Sequence, residues 1–185
     1  MKFLLLAGSF HKSSRTQALL RFIASVLDEH ETVNWPLNEL PFYCEEISAD
    51  KPQVVLDFLA AVEEADAIVV CSPEYNHSIP AVLKNAIDWA SRPAFKSVLK
   101  DKPVTVITQA NSPVGGARAQ AHIKLVFDST LSRIHPCHEM MIAGVDEKID
   151  AEGNLKDDKT AERLRRHLKD FIGYIATLGV GVAGS

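Results

Sequence analysis

The chain predicts a three-layer α/β fold, a five-stranded parallel sheet with helices on both faces. Strand-like and helix-like segments alternate along its 185 residues, as repeated βα units do. The run Ala67 to Cys71 is apolar at every position, the mark of a central strand covered on both sides. At least two strands run through a polar loop into a helix rather than into a hairpin, so the neighbouring strands are parallel.

The elements follow in order. Lys2 to Ala7 is the first strand, and Leu19, Leu20, Ile23, Val26 and Leu27 recur at helical spacing to place a helix from about Ser14 to Glu29. Thr32 to Trp35 is a short second strand, after which Pro36, Pro41 and a mixed composition make Leu37 to Asp50 an irregular connection. A second helix runs from Pro52, suited to a first turn, to Glu64, with Val55, Leu56, Leu59 and Val62 as its buried stripe. The third strand is Ala67 to Cys71. A third helix starts at Pro80, where a proline forfeits no hydrogen bond, and ends at Ala90. Trp89 within it packs in the core or serves a subunit interface, and both readings stay open. Pro103 to Thr108 is the fourth strand, Gln109 to Gly116 a loop of small residues, and Ala117 to Asp128 a fourth helix. A fifth strand falls within Ile134 to Ile142, and Asp146 to Asp157 is a polar excursion. The last helix buries Leu164, Leu168, Phe171, Ile172, Ile175 and Leu178, with Gly179 as its stop.

Composition bounds the function. A length of 185 residues suits one domain, residues 1–185, and 46% hydrophobic with 24% charged residues is ordinary for a globular chain. A net charge of -4 offers no electrostatic case for nucleic acid or an anionic membrane, and Arg163, Arg165 and Arg166 fit a solvated helix face. No segment is long and apolar enough for membrane insertion, and the apolar start Phe3 to Ala7 is too short for a signal peptide. Cys44, Cys71 and Cys137 cannot all pair and show no Cys-x-x-Cys spacing, which points to a reducing, cytoplasmic setting. His135-Pro136-Cys137-His138 offers metal-ligating side chains without further ligands at compatible spacing, so no metal site is assigned.

Two loops carry the chemistry. Ser9-Phe10-His11-Lys12-Ser13-Ser14-Arg15-Thr16 lies between a buried strand and a helix, where unpaired backbone N–H groups and the positive end of the helix dipole suit a phosphate. Pro73-Glu74-Tyr75-Asn76 follows the third strand and leads into Ser78 to Trp89. In an open parallel sheet such loops meet beyond the carboxyl ends of the strands, where ligands bind. No Gly-x-Gly-x-x-Gly follows a strand and no Walker lysine ends the first loop, so neither a permanently held dinucleotide nor nucleotide hydrolysis is expected.

These residues resemble the NADPH-dependent FMN reductases, which include quinone, azo-dye and chromate reductases. The first loop is similar to the family's G-S-x-R-x-x-S-x-N, Pro73 to Trp89 to its P-E-Y-N-x-S-x-P-x-x-L-K-N-A-I-D-W, and Gly115-Gly116-Ala117-Arg118 to its G-G-x-R. The resemblance implies a flavodoxin-like sheet of order 2-1-3-4-5, bound FMN, and hydride transfer from NADPH or NADH to a quinone, flavin, azo compound or other small acceptor. It also implies a homodimer or homotetramer. By motif position, Ser9, His11, Ser13, Ser14, Arg15 and Thr16 fall at the phosphate, and Pro73, Glu74, Tyr75, Asn76, Ala110, Asn111, Gly115 and Gly116 along the flavin ring. Two positions depart from the pattern: His11 stands for the family's arginine and Thr16 for its asparagine, so Lys12 or Arg15 is left to supply the missing charge. No catalytic side chain is assigned, because hydride transfer from nicotinamide to flavin needs no base; Glu74 is therefore not read as one. His77 faces the substrate or is an exposed loop histidine, and both readings remain open. The alternative function is a flavodoxin-type electron carrier without a nicotinamide site.

Overall fold

The computed structural model describes residues 1–180. Its elements are β1 (Lys2–Ala7), α1 (Arg15–Val26), β2 (Glu31–Trp35), α2 (Gln53–Glu64), β3 (Ala67–Pro73), α3 (Ala81–Ala90), β4 (Pro103–Ala110), α4 (Ala117–Ser129), β5 (Arg133–Ile134), β6 (Met140–Ala143), α5 (Val145–Lys148) and α6 (Asp158–Thr177). All strand pairings between these elements are parallel, and the sheet runs β2-β1-β3-β4-β5 with β6 also on β4.

Alternation along each strand splits the core into two layers. Leu4 and Leu6 of β1, Ile68 and Val70 of β3, and Val104 and Val106 of β4 pack under α2, α3 and α4. Phe3, Leu5, Val69, Cys71 and Ile107 point the other way, against α1 and α6. β3 is buried along its full length, as its apolar run requires. Burial pushes the Cys71 thiol up to about 12, so it behaves as a small apolar side chain.

The structure differs from the sequence reading at three places. The fifth strand is two strands laid end to end along β4, with Pro103 and Val104 facing β5 and Ile107 to Ala110 facing β6. Pro136 lies in the gap; it has no N–H for the ladder, and residues 136–139 leave the sheet edge after His135 makes the last bond to Val104. Pro52 and Pro80 occupy N-cap rather than first helical positions, since their ψ values of 148° and 141° are extended. The polar excursion contains the short helix α5, opened by Gly144 at φ 58°. Gly179, at φ 70°, ends α6 as expected.

Trp89 belongs to the core. It is fully buried within its own chain, donates from Nε1 to the Pro41 carbonyl at 2.8 Å, and meets the Tyr43 ring edge-on at 5.0 Å. The irregular 37–50 connection is thereby pinned to α3, and the interface reading of Trp89 falls. Trp89→Phe removes buried volume and that hydrogen bond, so it should lower stability by about 2 kcal/mol in urea unfolding while leaving the oligomeric mass unchanged. Equal unfolding midpoints, or a changed mass, would contradict this placement.

Candidate active site

The loops after β1, β3 and β4 converge at the carboxyl edge of the sheet, joined by backbone and side-chain hydrogen bonds. Gly8 ends β1 with its N–H donating to the Cys71 carbonyl at 2.8 Å. A Cβ on Gly8 would stand 2.3 Å from Ser72 Oγ, so only glycine lets the first and second loops start this close together.

In the first loop Ser14 caps α1: its hydroxyl accepts from the Gln17 N–H at 3.4 Å, and its own N–H donates to the His11 carbonyl at 2.9 Å. His11 folds back so that Nδ1 accepts from the Ser13 N–H at 3.2 Å. Thr16 turns inward and is fully buried, where its hydroxyl accepts from Gln109 Nε2 at 3.1 Å, a direct link to the end of β4 where the third loop begins. Arg15 is committed elsewhere: its Nε donates to Asp146 Oδ1 at 2.8 Å. Asp146, in the first turn of α5, also accepts from the Asn111 amide and donates its N–H to Asn111 Oδ1 at 3.0 Å. Arg15 first, and Asn111 after it, hold the Asp146 carboxyl below its ordinary range.

In the second loop Tyr75 and Ser78 exchange backbone hydrogen bonds of 3.0 and 2.9 Å around Asn76 at φ 48° and His77 at φ 65°. Two central residues at positive φ mark a type I′ turn, comfortable for asparagine and strained for histidine. His77 is exposed, and Tyr75 is half-exposed at the turn. Ser78 Oγ lies 3.0 Å from Nδ1 of His122 on α4.

Glu74 proves to be a structural anchor. Its side chain is one-tenth exposed, and Oε2 accepts from the N–H groups of Arg118 at 2.9 Å and Ala119 at 3.2 Å, at the start of α4. Gly116 fills the N-cap of that helix at φ 84° with no side chain of its own, so Glu74 caps it from the neighbouring loop. Burial pushes the carboxyl up, but the two backbone donors and the Arg118 guanidinium outweigh it and hold the pKa below the ordinary 4.5. Gly115 seats the third loop, since a Cβ there would lie 3.1 Å from the backbone of Ile142 and Ala143 in β6.

The structure thus places all fourteen sequence-assigned residues at or just after the carboxyl ends of β1, β3 and β4, with Arg15 and Thr16 in the first turn of α1. It also adds groups that spacing did not reveal: Asp146 and Gln109 bond to members of that set, and His122 bonds Ser78 beside it. An acid in a first turn straight after a strand-ending glycine was the signal for Asp146.

The chain matches the NADPH-dependent FMN reductase family over residues 1–147, and it belongs to that family. It is an FMN-dependent NAD(P)H oxidoreductase. It is 31% identical over 176 residues to a 2-hydroxy-1,4-benzoquinone reductase of Burkholderia sp, covering 95% of this chain and 96% of that one. It is 36% identical over 173 residues to an NADPH:quinone oxidoreductase of Arabidopsis thaliana, covering 88% and 86%. The solved structure of the flavoenzyme NAD(P)H:(acceptor) oxidoreductase FerB from Paracoccus denitrificans superposes with a TM-score of 0.87 at 31% identity, over 95% of this chain and 97% of that one.

The residues present fit FMN. Among the described residues, the hydroxyls of Ser9 and Ser13 and the first-turn N–H groups of Arg15 and Thr16 have no protein partner, a donor set suited to a phosphate. No carboxylate falls between Gly8 and Thr16, and nearby Asp146 is already paired.

Because the Glu74 pKa is depressed, its contribution to stability is full above about 4.5 and fades as pH falls through the folded value. Glu74→Gln keeps the shape and loses the charge, so neutral-pH stability should drop by about 1 kcal/mol. The mutant should also lose less stability than the parent between about pH 5 and pH 3. Superimposable pH–stability curves for the two proteins would show that the carboxylate is not the anchor.

Proposed function

We propose that this reductase passes electrons from NAD(P)H to a quinone-type acceptor, on a flavin held by the three tied loops. One observation carries the proposal: the loops after β1, β3 and β4 close on one another through Gly8–Cys71, Thr16–Gln109, Arg15–Asp146–Asn111 and Glu74–Arg118 contacts, making one rigid edge at the switch point of the sheet. The quinone reductases among its relatives support the acceptor class.

In this reading Ser9, Ser13, Ser14 and the N–H groups of Arg15 and Thr16 surround the phosphate. His11 spends Nδ1 on Ser13, which leaves Nε2 to meet the anion. Arg15 is paired with Asp146 and acts as a strut, so among the described residues Lys12 is the cation of the loop without a partner. Pro73, Glu74, Tyr75 and Asn76 line one side of the ring, and Ala110, Asn111, Gly115 and Gly116 the other. Backbone groups make these contacts, since the Glu74 and Asn111 side chains are already engaged. Bound FMN supplies the hydride chemistry that no side chain here can perform. Tyr75 and His77, exposed at the turn, border the space where a planar acceptor sits.

We place the enzyme in the cytoplasm as a homodimer or homotetramer; no helix among the described residues is long and apolar enough to cross a membrane. The electron-carrier alternative predicts no NADPH consumption, whereas this reading predicts aerobic NADPH oxidation with menadione. With one shared open face, donor and acceptor take turns. Double-reciprocal plots against NADPH at several menadione concentrations should therefore be parallel. Intersecting lines would require both substrates bound together and would overturn the shared-face arrangement.

A further inference from the structure

A second cluster of chemically capable side chains lies on the outer edge of the sheet, away from the loops. Thr105 and Ala110 are both on β4, so strand rise alone separates the cluster from the third loop by about 16 Å. Its members come from three elements: Thr105 on β4, the 135–139 gap between β5 and β6, and His167 and Asp170 on α6.

The gap opened at Pro136 makes the cluster possible. His135 is still held by its N–H donating to the Val104 carbonyl at 2.8 Å, and its ring is 3% exposed beneath α6. There it stacks on Tyr174 at 5.5 Å and 26°, with Phe171 at 5.2 Å. Nε2 of His135 faces Asp170 Oδ2 at 3.0 Å, and Nδ1 lies 3.1 Å from Thr105 Oγ1. His167 Nε2 comes within 2.7 Å of the same hydroxyl. Two buried imidazoles thus meet at the Thr105 hydroxyl, which can donate to only one of them. Cys137, half-buried, completes the set: one ligand atom from each of His135, Cys137 and His167 lies within 4.8 Å of the others. A cavity of about 270 Å³ opens beside them, its lining including Cys137, Glu139, His167 and Asp170 together with the cations Arg163 and Arg166.

We propose that His135, Cys137 and His167 form a binding site for a borderline-soft transition-metal dication of the Zn2+ type, with its fourth coordination position open to this cavity. Two imidazoles and a thiolate are donors such an ion prefers, and three protein ligands with one open position are a recurring zinc arrangement. Asp170 supplies a second argument. A carboxylate on the remote nitrogen of an imidazole fixes the tautomer, so His135 presents its Nδ1 lone pair, as in carboxylate–histidine–zinc sites. A packed pair of core histidines needs neither the nearby sulfur nor the adjoining cavity. Of the cations nearby, Lys124 reaches Glu139 at 3.4 Å and Arg163 the Met141 carbonyl at 3.2 Å, while Arg166 borders the cavity. Uptake is balanced by a proton, since the Cys137 S–H bond breaks as the sulfur–metal bond forms and the proton leaves to solvent. No electrons move.

The test uses the FMN-loaded enzyme, stripped of metal with a chelator and dialysed against Zn2+, with bound zinc measured by elemental analysis. The parent should retain one equivalent per chain and release a proton on uptake near pH 8. Cys137→Ser and His167→Gln should each weaken retention at least tenfold at unchanged FMN content, while Cys44→Ser, distant in the sequence and on the 37–50 connection, should bind as the parent does. Cys137→Ser lies at the cavity rim, so it keeps the test decisive if His167→Gln fails to fold. A parent that retains no zinc, or retention undiminished in Cys137→Ser, would overturn the proposal. FMN content read in the same samples keeps this result separate from the flavin-site reading.

Discussion

The last rung between β1 and β3 sets the geometry on which the rest of the site depends. Gly8 donates to Cys71, and a Cβ on Gly8 would fall within 2.3 Å of Ser72 Oγ. The first and second loops are therefore forced to begin side by side. Once they do, the N-terminus of α1 and the Pro73–Asn76 turn share one edge, and the third loop is drawn in by Gln109 on Thr16 and by Glu74 on α4. An anion near α1 meets a dipole that is already oriented, so little reorganisation accompanies binding.

Charge at this edge is handled by internal pairing. Arg15 would be a natural phosphate ligand, yet it is spent on Asp146, and Asp146 in turn orders Asn111. Exposed ion pairs of this kind contribute little to global stability, about 0–1 kcal/mol. Their value is positional: they hold two loops and α5 in register while leaving uncharged hydroxyls and N–H groups for the ligand. Glu74 follows the same logic, since its carboxylate closes α4 rather than facing the reaction.

Much of this was legible in the sequence. The apolar runs of β1 and β3, the period of α1 and α6, and the small residues after β4 placed the elements to within a few residues, because each buried face imposes its own repeat. The fourteen residues proposed for the site were named from loop motifs of fixed spacing, and the structure sets them around the carboxyl ends of β1, β3 and β4. What escaped is long-range. Asp146 looked like loop composition, yet it bonds Arg15, which only the closed sheet brings near. His135 and Cys137 looked like an edge strand; Pro136 breaks that strand, and His167 arrives from α6 through packing that no local pattern encodes. Trp89 was ambiguous for the same reason, since its partner Pro41 lies in the irregular connection.

We propose that the first loop holds a phosphate without a full arginine contact. Comparing FMN with riboflavin, which lacks only the phosphate, tests it most directly by fluorescence titration of the flavin-free protein. Two charge-assisted hydrogen bonds at their low end amount to about 3 kcal/mol. FMN should accordingly bind at least about a hundredfold more tightly than riboflavin. Equal affinities for the two flavins would mean that Ser9 to Thr16 holds no phosphate, and would contradict the account of this edge.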